Sequence, residues 1–270
     1  MLGKLIKNEF KCTLHTVGYI YLASIITAGI MLLAYLVKIT WISGVATMIL
    51  LATGAAAVLV TFFMTIVHFN KSLYGNQGYL SFTLPVTSNQ LLAAKTIVSF
   101  CWMLVSYAVA IAIFIGVYLY ATAMVGDDVK AAAKLMLDLF AGLPNKSTII
   151  KVVIIAGVII FLKIVKLIAE LYFSVTLSNT RVMQKLGGFA IVVVFFVTFI
   201  LLVVASTWLT NNIPFSIVVT SSGIFYSTTQ SMSESTLMTF GIAGILFDVI
   251  ASIALFTGTS LLMDSKVNIK

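Results

Sequence analysis

Apolar residues gather into six runs, roughly Val17–Val37, Gly44–Val67, Thr96–Ala123, Ile149–Phe173, Phe189–Trp208 and Leu237–Leu262. Each reaches the roughly 20 residues that a helix needs to cross the hydrocarbon of a bilayer. β-branched residues are frequent in these runs. An isolated segment in lipid must nevertheless satisfy its own backbone, and a helix does so where a lone strand does not. The alternating pattern of a membrane-barrel strand is absent. The periodicity therefore predicts an all-α integral membrane protein with six transmembrane helices, carried by one domain over residues 1–270.

Three polar or amphipathic segments do not fit a span. In "MLGKLIKNEFKCTL", Leu2, Leu5, Ile6 and Phe10 share one helical stripe and Lys4, Lys7, Asn8 and Lys11 lie largely on the other. That pattern predicts an N-terminal amphipathic helix lying on an anionic inner leaflet. "DDVKAAAKLMLDLFAGLP" repeats it, with Ala132, Leu135, Met136, Leu139, Phe140 and Leu143 on one face. Lys134 and Asp138 are spaced i,i+4 on another face, and Gly142 and Pro144 mark an end. Thr210–Ser235 is Ser/Thr-rich but too apolar in "IPFSIVV" for a freely solvated loop. A re-entrant segment or short external helix between spans five and six is expected there, with a surface loop as the alternative.

Composition sharpens the class. The chain is 61% hydrophobic and 9% charged, against about 25% charged in soluble domains, so it cannot cover a water-facing surface. Lys4, Lys7 and Lys11 before an apolar run resemble a secretory signal, but that run is long enough to span and no small-residue cleavage site follows it, so a retained first helix is expected. Cys12 and Cys101 form no CxxC. Neither His15 nor His68 has a partner at ligand spacing, so no metal and no disulfide are expected.

With the N-terminus inside, inner segments carry nine of the 16 Lys and Arg, outer segments carry five, and Lys163 and Lys166 lie within span four. The basic bias thus puts both termini in the cytoplasm of a multi-pass protein of the cell membrane. Trp41, Trp208 and Trp102 suit interfacial belts.

The segment Asn70–Lys95, "NKSLYGNQGYLSFTLPVTSNQLLAAK", then faces the cytoplasm. Gly75 and Gly78 permit a break or turn. Tyr74, Tyr79 and Phe82 offer aromatic anchors, and Pro85 stops any helix from continuing through Leu84. Thr87 or Ser88 caps a restarted helix that feeds span three. The segment is longer than the roughly 2–8 residues that commonly join bundle helices.

The block "GYLSFTLPVTSNQLLAAK" resembles the cytoplasmic loop of permease subunits of type-2 ABC exporters. The N-terminal "NEFK", the six spans and "LYFSVTLSNTRVMQKLGG" after span four are similar too. The resemblance implies that the loop around Tyr74, Gly75, Gly78, Tyr79, Phe82, Leu84 and Pro85 couples to a separate ATPase subunit. It also implies a second permease copy or a homologous permease as partner. Small members export amphipathic peptides of the antimicrobial or lantibiotic type, or lipophilic drugs, which implies a role in resistance to such peptides. The insert around Asp127–Pro144 is longer than in minimal members.

No GxxxxGK[ST] is present, so no cofactor is expected on this chain, and ATP and Mg would be bound by the partner. HExxH, GxSxG and paired intramembrane aspartates are also missing, which argues against an enzyme. No nucleic-acid partner is expected. The other readings are a membrane scaffold or sensor whose loop binds a different partner and, last, an intramembrane enzyme.

Lys163, Lys166, Glu170 and Asp248 interrupt apolar runs, where a charge costs about 2.5–3.5 kcal/mol. Lys163 and Lys166 have the reach to snorkel, and Lys166 can pair with Glu170 at i,i+4. Asp248, about 16 Å along a helix begun at Leu237, falls near the midplane. It needs a pair with Lys163, a Ser/Thr network or a place on a transport path.

Overall fold

The structure is a computed structural model, and it describes residues 2–37, 40–75, 87–125, 146–180, 183, 189–213, 215–220, 223–228 and 236–265. Its helices are α1 (Leu2–Leu36), α2 (Thr40–Tyr74), α3 (Ser88–Val125), α4 (Lys146–Ser178), α5 (Phe189–Asn212) and α6 (Ile242–Ser265). All six are long and apolar enough to cross a membrane. The chain divides into two compact units, Met1–Ala133 with Ile269–Lys270, and Lys134–Asn268.

In the first unit α1, α2 and α3 all pack on one another. Met31, Ala46 and Leu50 form a buried cluster against Ala28, Ile113, Val117 and Tyr120. Hydroxyls in these helices bond back to the carbonyl one turn earlier, as Ser24 does to Ile20 and Thr61 to Ala57. That bond lets a polar side chain sit in an apolar span without an unmet donor.

The N-terminal amphipathic helix is not a separate interfacial element: α1 runs unbroken from Leu2 into the first span. Lys4, Lys7 and Lys11 are exposed as the stripe predicts. On the opposite side the end of the stripe packs on protein. Phe10 lies 5.7 Å, ring to ring, from Trp102, whose indole Nε1 donates to Thr13 Oγ1 at 2.8 Å. Trp102 therefore joins α3 to α1, whereas Trp41 and Trp208 are exposed at helix ends.

In the second unit α4, α5 and α6 pack together. A Cβ on Gly241 or Gly244 would come within 2.5 Å of the Thr210 side chain, so glycine lets the start of α6 approach α5 this closely. Between α5 and α6 stands a three-stranded antiparallel sheet of β1 (Ser216–Thr220), β2 (Gly223–Ser227) and β3 (Thr236–Gly241), in the order β2-β1-β3. Ile217 faces Tyr226 on one side and Phe240 on the other, and the β1–β3 register slips between Val219 and Thr220.

This sheet corrects two expectations. Where a short helix was one expectation after α5, the described residues Ser216–Thr220 and Gly223–Ser227 are strands, and the mainly helical protein is therefore not all-α. "SIVVT" is β-branched at four of its five positions or polar at its ends, and pairing on both sides satisfies its backbone without a helix. In addition, Leu237–Gly241 belongs to β3, so the last helix starts at Ile242 instead of Leu237.

Candidate functional site

Charged side chains are scarce in this chain, so the places where they are buried stand out. Among the described residues, each unit holds one such cluster.

In the first unit the cluster joins all three helices. Lys95 of α3 is only 3% exposed. Its Nζ donates to Glu9 Oε1 of α1 at 2.6 Å and to Ser72 Oγ of α2 at 2.7 Å. His68 of α2 donates through Nε2 to the other carboxylate oxygen of Glu9. Burial by itself would raise the Glu9 pKa, but the hydrogen bond from His68 and the charge and hydrogen bond of Lys95 bring it down to about 2. Glu9 is therefore ionised and both its oxygens are used. Further along the same helices, Tyr21 Oη bonds Ser106 Oγ at 2.7 Å, and Ser106 also bonds Thr61. These contacts tie α1 to α3 and α3 to α2.

This cluster escaped the sequence analysis, which treated Lys95 as a loop cation and His68 only as a failed metal ligand. One signal was available. Glu9 is the sole acidic residue before Asp127, while the same stretch holds several Lys residues. A lone carboxylate beside apolar runs is a strong candidate for a buried pair.

The cluster borders the α2–α3 connection. Helix α2 closes with Gly75 N–H donating to Asn70 O at 3.1 Å, the i→i−5 bond of a helix C-terminus. A Cβ on Gly75 would lie 2.8 Å from the Lys71 carbonyl, so glycine is required there. Helix α3 opens on Thr87, whose hydroxyl accepts the Gln90 N–H at 3.4 Å, which makes Thr87 rather than Ser88 the cap. Tyr74 is 5% exposed, its ring 6.3 Å from that of Phe69. It packs inside the unit, so it is not a free anchor for a partner. Gly78, Tyr79, Phe82, Leu84 and Pro85 lie outside the described residues, as does the insert Asp127–Pro144.

In the second unit the four intramembrane charges come together on α4 and α6. Asp248 is 1% exposed. One of its oxygens takes Lys163 Nζ, and the other lies 2.8 Å from Lys166 Nζ in an ionic contact whose angle is not that of a hydrogen bond. Lys166 also pairs with Glu170 at 3.6 Å across one turn. The pairs Lys163–Asp248 and Lys166–Glu170 are as the spacing allowed, and the bond between Lys166 and Asp248 was not foreseen. Asp248 sits six residues, about 9 Å, into α6 and not at the middle of the helix, because the helix starts later than expected. Two cations and two carboxylates leave the cluster neutral, which is what makes its burial tolerable. Lys163 alone keeps much of its side chain exposed, at 55%.

Among the described residues no three His, Cys, Asp or Glu side chains converge as a metal ion would need. No family model, curated protein or solved structure matches this chain.

Proposed function

We propose that this protein is the membrane-spanning permease subunit of an ATP-driven exporter, working with separate ATPase subunits and a second permease. ATP and Mg are bound by the ATPase, and this chain carries no catalysis. The cargo class is amphipathic peptides or lipophilic compounds moved outward across the cell membrane, with both termini cytoplasmic.

One observation carries the reading. The segment that resembles an exporter coupling loop is held firmly at both ends, and those ends meet a single ionic cluster. The α2 end is closed at Gly75 with Tyr74 buried, and the α3 end is capped by Thr87. About two turns into α3, Lys95 is locked to Glu9 of α1 and Ser72 of α2. A push delivered to such a loop is passed to three helices at once. A flexible tether would absorb it.

The test is reconstitution with the candidate ATPase. Interface aromatic residues often contribute about 2 kcal/mol or more each, and about 1.4 kcal/mol is a factor of ten. Tyr79→Ala with Phe82→Ala is therefore expected to weaken ATPase binding by at least about tenfold, with transport falling in parallel and membrane insertion unchanged. Pro85→Ala is expected to leave binding largely intact while less cargo moves per ATP. A double alanine variant that binds and transports like the parent would refute the coupling role.

A further inference from the structure

We propose that a groove between α1 and α3 of the first unit is a binding site for one acyl chain of a membrane phospholipid. It goes beyond the transport reading and does not depend on it. The groove has a volume of about 530 Å³, within the roughly 300–1,000 Å³ of small-molecule sites. Its walls come from Tyr21–Leu32 of α1 and Val109–Ala123 of α3, and Leu50 of α2 contributes to its lining.

Three observations select the occupant. The first is hydrogen bonding. The walls are almost wholly apolar, and two of their few hydroxyls are already engaged: Tyr21 Oη with Ser106, and Ser24 Oγ with the Ile20 carbonyl at 3.0 Å. Water needs two to four polar partners, and a lining this apolar is poor in them. An extended peptide would bring backbone groups with nothing to meet them. An acyl chain asks for no hydrogen bond.

The second is length. The α1 wall from Tyr21 to Leu32 rises about 16 Å, and one leaflet's share of a roughly 30 Å hydrocarbon core is about 15 Å. The third is surroundings. Both walls belong to helices long and apolar enough to span a membrane, where lipid tails are the surrounding solvent. Its depth comes from small residues, Ala28, Ala112, Gly116 and Ala123, which leave room between the ridges of larger neighbours. Nothing lies within 4 Å of a Cβ built on Gly116, so that position opens on free space.

The experiment uses the full chain in vesicles of phosphatidylcholine doped with a phosphatidylcholine that carries a diazirine in one acyl chain. After irradiation, adducts are located by peptide mass spectrometry. Ile253 and Leu261 of α6, both exposed, report ordinary lipid contact. Adducts on Ile25, Ile113 and Leu119 are expected to exceed that reference about fivefold. Ala112→Phe with Gly116→Leu fills the groove and is expected to bring the yield down to the reference while the melting temperature holds. Ala28→Leu fills it from the opposite wall and serves if the double variant fails to fold. Equal yields at groove and reference in the parent overturn the proposal. So does enrichment that survives filling, or cross-linking of the groove to a second copy of the chain in place of lipid.

Discussion

Replacing Glu9 by glutamine tests whether the ionic cluster holds the first unit together. The substitution keeps the shape and one oxygen but removes the negative charge that, among the described residues, pairs with Lys95, whose side chain is 2% exposed. Removing one partner of a buried pair costs about 3–5 kcal/mol, because the remaining charge stays buried. A second route gives a similar figure. The Glu9 pKa stands at about 2 against an ordinary 4.5, and at 1.36 kcal/mol per unit that difference is worth about 3 kcal/mol. The sign follows from the direction. A carboxylate whose folded pKa is depressed stabilises the fold fully above pH 4.5, and that contribution drains away as pH falls toward 2.

On the scale of soluble proteins of this size, about 2–4 °C per kcal/mol, the loss is roughly 6–12 °C in melting temperature at pH 7. Size-exclusion of detergent-solubilised protein after heating measures it. The parent's advantage over Glu9→Gln should shrink as pH is lowered from 5 to 3. Lys95→Met added to Glu9→Gln should restore much of the loss, since a buried pair replaced by apolar groups is often neutral. If Glu9→Gln melts with the parent at pH 7, or the double variant is as unstable as the two single losses added together, the cluster does not join the helices as argued.

Three further outcomes follow from the geometry. Asp248→Asn is expected to destabilise nearly as much as Asp248→Ala, by about 3 kcal/mol or more, because Asp248 supplies charge to two lysines; Lys166→Ala should cost clearly more than Lys163→Ala, whose side chain is half exposed, and thermal melting in detergent ranks them. Thr87→Ala removes the α3 cap and should cost about 1 kcal/mol, while Thr87→Ser should be close to silent in the same melting assay. Cysteines at Asn76 and Lys266 should be labelled by an impermeant maleimide only after the membrane is opened, and one at Asp128 in intact cells; labelling of Asn76 from outside would reverse the proposed orientation.

The spans were legible because their signal is local: some 20 apolar residues have few alternatives to a helix in lipid. The cap at Thr87 and the pair between Lys166 and Glu170 were legible for the same reason, since both are contacts within a turn or so of chain. What failed was tertiary. Lys4, Lys7 and Lys11 are exposed as the N-terminal stripe predicts, but a stripe does not say whether lipid or another helix covers its apolar side. Glu9, Thr13 and Phe10 turn out to face α2 and α3. The sheet between α5 and α6 was missed because apolarity was weighed above β-branching in "SIVVT", and because the apolar residues of β3 were read as the start of the sixth span. The late start of α6 is a consequence of that miss.

The length of the helices explains why the first ionic cluster is buried in protein without being stranded in lipid. Helix α3 has 38 residues and rises about 57 Å, nearly twice a roughly 30 Å hydrocarbon core. Lys95 lies only about 10 Å from its start, and His68 and Ser72 lie within two turns of the end of α2. Glu9 likewise precedes the apolar span of α1, which runs from Val17 to Ala34. All four groups thus lie within about 10 Å of an end of their helices. Charges placed there escape most of the cost of insertion, and the protein around them keeps water from weakening their pairing. In the second cluster Lys163 lies farther in, fifteen residues from either end of the Thr148–Ser178 span. That cluster meets the cost by neutrality instead. Removal of one charge should therefore be felt more sharply there, and a comparison of Glu9→Gln with Asp248→Asn in one melting assay reads that difference directly.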